Sequence, residues 1–128
     1  NASQISVCLS TQASGLTTEE PTWDSIYLLS NSLNELGLTW RQNSVKVIIM
    51  FTDEQGQSYQ YQPHLNLQEV VDMAAQEDRH VYIFTEPSVY DSYQPITDAT
   101  DGGIYDIYMN QTDMESVLDT IVAEETCK

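Results

Sequence analysis

Basic side chains are nearly absent from this chain: Lys and Arg number 4 against 20 Asp and Glu, a formal net charge of −16. Such a surface repels phosphate backbones, which argues against nucleic-acid binding, and it attracts cations. Long apolar runs are missing too, and nothing approaches the roughly 20 residues of a membrane span. The only cysteines are Cys8 and Cys127, too few for a disulfide scaffold. His64 and His80 stand apart, with no Cys or His at zinc-ligand spacing. No glycine-rich phosphate loop occurs, and Gly102-Gly103 reads as a turn. Ser14-Gly15 lacks the strand–turn–helix setting of a nucleophile elbow, and no nucleophile–base pair is visible, so the chain reads as a non-enzyme. It begins Asn1-Ala2-Ser3 without Met or a leader, as a processed product would.

What is present suits one globular domain over residues 1–128. Hydrophobic residues make up 41%, too many for an acidic disordered tail. The segment Val-Lys-Val-Ile-Ile-Met-Phe-Thr-Asp-Glu (45–54) organises the rest. Its near-continuous apolar run predicts a strand buried on both faces, in the middle of a parallel sheet. It ends at Asp53, and ligands of open α/β sheets bind outside the carboxyl ends of the strands. A carboxylate there suits a hard cation, or is simply part of a polar turn.

In chain order, Ile5–Leu9 alternates like a half-buried strand. A helix is expected from Pro21 or Thr22 to a Gly37 C-cap, with Trp23, Ile26, Tyr27, Ser30 and Leu33 on its face. Asn66 and Glu69 form a capping box before Leu67, Val70, Val71 and Ala74. The segment His80–Thr85 is the next strand, Val89–Thr100 a loop with a short helix, and Ile104–Tyr108 a shorter strand. Thr112 and Glu115 resemble a second capping box, opening a last helix on Met114, Val117, Leu118, Ile121 and Val122. Strands alternating with helices predict an α/β, doubly wound, Rossmann-like and mostly parallel sheet with helices on both faces. Tyr59, Tyr61, Tyr90 and Tyr93 fall in the intervening loops, as recognition residues or as partly buried anchors.

Three segments carry a family resemblance: Glu-Glu-Pro-Thr-Trp-Asp-Ser-Ile-Tyr (19–27), Leu-Thr-Trp-Arg (38–41) and the stretch 45–54. With Thr-Asp-Gly-Gly-Ile-Tyr (100–105) and the closing amphipathic helix, they resemble a von Willebrand factor A domain, also called an integrin I-like domain. The resemblance implies a metal-ion-dependent adhesion site at the carboxyl edge of the sheet. Thr22 falls at the family's second-loop ligand and Asp53 at its third-loop ligand. The implied ion is divalent, Mg²⁺ foremost, with Mn²⁺ or Ca²⁺ as alternatives. It would leave one coordination position for a carboxylate of a partner protein.

The family's Asp-x-Ser-x-Ser motif occurs nowhere in the chain. The resemblance therefore implies that the first strand and helix stand upstream or on another polypeptide, or that the fold is rebuilt without them. It also implies separate partners for Cys8 and Cys127 rather than a bond between them. The function expected is a secreted or cell-surface adhesion module. The alternative is a structural subunit of a surface assembly with a vestigial metal site.

Overall fold

Among the described residues, three parallel strands carry the architecture, in the spatial order β1-β2-β3. They are β1 (Lys46–Phe51), β2 (Arg79–Thr85) and β3 (Gly103–Asp106). The helices are α1 (Thr22–Asn31), α2 (Leu67–Gln76), α3 (Tyr90–Ala99) and α4 (Gln111–Thr126). Short 3-10 turns stand at Leu33–Leu36 and Pro87–Val89. The computed structural model describes residues 20–31, 33–59 and 61–126. The strand expected at Ile5–Leu9, Cys8 and Cys127 lie outside the described residues. Among the described residues, no helix is long and apolar enough to cross a membrane.

The parallel sheet with helices on both faces is the architecture expected, and it is compatible with a Rossmann-like fold. Among the described strands its centre is β2 rather than the strand of 45–51. β2 pairs with β1 through Ile48↔Val81 and Phe51↔Phe84, and with β3 through Ile83↔Ile104 and Thr85↔Asp106. With a neighbour on each side, β2 buries every residue from Val81 to Thr85. β1 has one neighbour among the described residues, and Ile49 and Phe51 are 37% and 48% exposed. Side chains alternate across a strand, so Ile48 and Met50 face one core while Val47 packs against the other. The expectation that this strand is buried on both faces therefore fails for one face.

The first core lies beneath α1, α2 and α3. Trp23 and Ile26 of α1, Val70, Val71 and Ala74 of α2, and Tyr93 and Ile96 of α3 cover Ile48, Val81 and Ile83. The second core is smaller: Tyr82, Phe84 and Ile121, with Met114, Val117 and Leu118 of α4 partly buried around them.

Helix ends obey local chemistry, with three departures from expectation. The capping box at α2 forms as expected: Asn66 Oδ1 accepts the Glu69 N–H at 3.0 Å, and Glu69 Oε2 accepts the Asn66 N–H at 2.8 Å. α4 starts earlier than Thr112, because Asn110 Oδ1 takes the Asp113 N–H at 2.8 Å and serves as the cap. α1 stops at Asn31 rather than running to Gly37. Its last carbonyls are claimed by side chains from elsewhere: the Trp40 indole donates to Leu29 O at 2.7 Å, and Arg79 Nη2 donates to Ser30 O at 2.9 Å. Gly37, at φ +71°, closes the following 3-10 turn instead. The stretch expected to be mostly loop is the ten-residue α3. Its buried stripe of Tyr93, Ile96, Thr97 and Thr100 has helical spacing, but the polar residues dilute the apolar signal.

Candidate functional site

The carboxyl ends of the strands gather the polar groups. Thr22 opens α1, and its N–H bonds to Glu20 O at 2.8 Å. Thr52 continues β1, its N–H reaching Phe84 O at 3.0 Å, so the next residue, Asp53, stands at the rim. Thr22 is 3% exposed and Thr52 2%, whereas Asp53 is exposed. A buried threonine hydroxyl requires a partner. Thr52 Oγ1 donates to Glu20 Oε2 at 2.5 Å and accepts the Glu54 N–H at 3.2 Å.

Tyr93 ties these loops together from α3. Its hydroxyl donates to Glu54 O at 2.6 Å and lies 3.1 Å from Thr22 Oγ1. Burial pushes the Tyr93 phenol upward; the Thr22 and Thr52 hydroxyls pull the other way, and Glu20 and Glu54 add to the rise. It therefore stays a neutral donor at physiological pH. The loop after β1 is pinned close to α1 as well. Trp23 N–H bonds to Gln57 O at 3.1 Å, and a Cβ on Gly56 would stand 2.0 Å from the Trp23 ring, so only glycine fits there. Asp24, 4% exposed, takes the Ser58 hydroxyl at 2.5 Å and the Tyr59 N–H at 2.6 Å.

Carboxylates stand at the ends of all three strands: Asp53 after β1, Glu86 after β2 and Asp106 closing β3. Tyr108 registers them together. Its phenol is raised by desolvation first, then by Glu86, Asp53 and Asp106, and its hydroxyl lies 3.4 Å from Glu86 Oε2. The edge is thus oxygen-rich and negative.

Thr22 and Asp53, the two ligands expected from sequence, fall on adjacent loops of this edge. Tyr93 links the loops, reaching Thr22 and the Glu54 carbonyl, while no hydrogen bond joins the two side chains directly. Among the described residues, no group of three or more His, Cys, Asp or Glu assembles as a metal site. The donors on hand, a carboxylate and a hydroxyl, have the chemistry of a hard cation that keeps much of its water. The sequence singles out neither Glu20 nor Thr52, and it offers Tyr93 only as a loop residue, for recognition or as a partly buried anchor, whereas it is a buried anchor on α3. The spacing of Val89, Tyr93 and Ile96 was the available signal, since it places all three on one helical stripe. Tyr93, expected in a loop, is fully buried.

Fold and edge together define an α/β domain with a parallel sheet and an acidic, hydroxyl-lined carboxyl edge. No protein-family model matches the chain, and a search of curated proteins finds no match.

Proposed function

We propose that the chain is a von Willebrand factor A-type binding domain, secreted or at the cell surface, that engages a protein ligand through a divalent cation. The observation that carries this reading is the placement of Thr22 and Asp53 on adjacent loops of one carboxyl edge, bridged by Tyr93 and Glu54. The net charge of −16 supports cation capture. Asp53 would hold the ion from the rim, and Thr22 from the start of α1. Tyr93 would act as a positioning residue that keeps the two loops in register. A bound Mg²⁺, or Mn²⁺ or Ca²⁺, would offer an open position to a partner's carboxylate. Titrating Mg²⁺ calorimetrically into the wild type and Asp53→Ala is the test. Loss of binding in the variant, with an unchanged circular dichroism spectrum, is expected; equal affinity would overturn the assignment.

A second reading has its own observation. Val45, just before β1, and Ile49 and Phe51 on it are exposed, and β1 has one neighbour among the described residues. A structural subunit of a surface assembly would cover that strip and leave the metal site vestigial. Association that persists in chelator favours the subunit; association abolished by chelator and restored by Mg²⁺ favours the adhesion module.

A further inference from the structure

The turn between β3 and α4 holds an acceptor pattern that cation binding leaves unused. Asn110-Gln111-Thr112 matches Asn-x-Ser/Thr with no proline in the middle, the tripeptide that takes an N-linked glycan in secreted proteins. By itself such a tripeptide is common. Here its setting adds two observations. The first is the pose of the asparagine. Asn110 Oδ1 accepts the Asp113 N–H at 2.8 Å, capping α4, while Nδ2 donates to Asp113 Oδ2 at 2.9 Å. Asn110, Gln111 and Thr112 are all exposed, so the whole tripeptide faces solvent.

The second observation is an aromatic ring two residues ahead of the asparagine. Tyr108 is 67% exposed, more than any other large hydrophobic residue among those described. Its backbone is fixed by Asp106, whose Oδ1 accepts the Tyr108 N–H at 2.8 Å and whose carbonyl accepts the Met109 N–H at 3.3 Å. The Tyr108 hydroxyl lies 3.4 Å from Glu86 Oε2. A pyranose has a face of C–H groups, which is attracted to the negative face of an aromatic ring. Two residues span at most about 7 Å of chain, so a sugar on Asn110 falls within reach of the ring.

We propose that Asn110 is an N-glycan acceptor whose first sugar packs on the Tyr108 ring. The transfer is a substitution at the sugar's anomeric carbon. Asn110 Nδ2 bonds to that carbon and the bond to a lipid-linked diphosphate breaks. The diphosphate leaves with the electron pair, and one Nδ2 proton is released. The co-reactant, a lipid-diphosphate oligosaccharide, belongs to the lumen of the secretory pathway, so the proposal rests on the secreted or cell-surface reading. It does not rest on the cation. One hydrogen stays on Nδ2 for Asp113, and Oδ1 remains an acceptor, so the α4 cap survives the modification. An exposed ring on the acidic edge is thereby covered.

The test expresses the full chain behind a supplied signal peptide in mammalian cells and maps glycopeptides from the secreted and cell-retained pools. The supplied signal separates the acceptor question from the localisation of the natural chain. Pooling lets a poorly secreted variant still report its occupancy. The Asn110 peptide is expected to carry a glycan that peptide-N-glycosidase removes. Thr112→Ala spares the cap residue and should abolish that modification, while leaving any on Asn1. An Asn110 peptide bare in both pools overturns the acceptor assignment. Asp53→Ala should leave occupancy unchanged, so loss of Mg²⁺ binding and loss of the glycan are separate results. For the ring contact, the thermal midpoint of the glycosylated chain is compared with that of the same sequence made in bacteria without a glycan. A higher midpoint is expected with the glycan, and the gain should vanish in Tyr108→Ala. An equal gain in Tyr108→Ala, or none in the wild type, overturns the contact.

Discussion

On one side of the sheet, three helices bury Ile48, Val81 and Ile83 beneath Trp23, Ile26, Val70, Tyr93 and Ile96; on the other, among the described residues, α4 is the one helix that shelters Tyr82 and Phe84. The first face is closed by apolar packing, and some of its polar intruders are satisfied locally. Thr100 Oγ1, for instance, donates to Ile96 O at 2.7 Å and accepts the Val81 N–H at 3.2 Å. The second face is held by one strongly buried apolar residue of α4, Ile121, together with a paired charge. Dispersion and hydrophobic burial act at any pH and grow with area. The three-helix face thus supplies the stability, and the α4 face is where a modest free-energy change can alter the structure.

The contrast breaks most sharply at Ile83. It is 0% exposed, and Ile83→Ala should cost about 2–5 kcal/mol in urea unfolding, through lost burial and an unfilled cavity. Ile121→Ala removes the matching anchor of the other face. Because α4 can shift to fill the gap, a loss nearer about 2 kcal/mol is expected, with exchange rising in α4 before the rest of the chain. A larger loss at Ile121 than at Ile83 would reverse the comparison. Asn66→Ala removes the side-chain arm of the α2 capping box, while the backbone N–H that Glu69 accepts remains, and should cost about 1 kcal/mol, read as a lower unfolding midpoint without a change in slope. Ile49→Lys on the open strip should change stability by no more than about 0.5 kcal/mol. It should nevertheless reduce concentration-dependent association in sedimentation velocity, since a charge on an exposed edge strand disfavours pairing. A substantial destabilisation of the isolated chain by Ile49→Lys would show that the strip is covered after all.

Much of the fold could be read from local pattern. Asn66 and Glu69 three residues apart marked α2, and the apolar run from Val81 to Phe84 marked β2. Pattern failed where the buried stripe was polar. Tyr93, Thr97 and Thr100 concealed α3, and the early end of α1 depended on Trp40 and Arg79 arriving from distant positions. At the candidate site, Asp53 was marked by its place at the carboxyl end of an apolar strand, whereas Thr22 came from a family resemblance. The groups around them were invisible because Tyr93 and Thr22 are 71 positions apart.

The sequence by itself determined the periodicities, the caps and the sign of the charge, because these depend on neighbours within a few residues. An alternating strand, a capping box and a net charge of −16 do not require knowledge of what lies across the sheet. Tertiary structure decided which strand became central. β1 is as apolar as β2, and only pairing leaves Phe51 half in solvent while Phe84 is sealed. It also decided how a carboxylate on α4 comes to be buried. A glutamate on a closing helix reads as solvated surface until folding brings it to His80 and Tyr82, 43 positions from the latter, and removes the water between them.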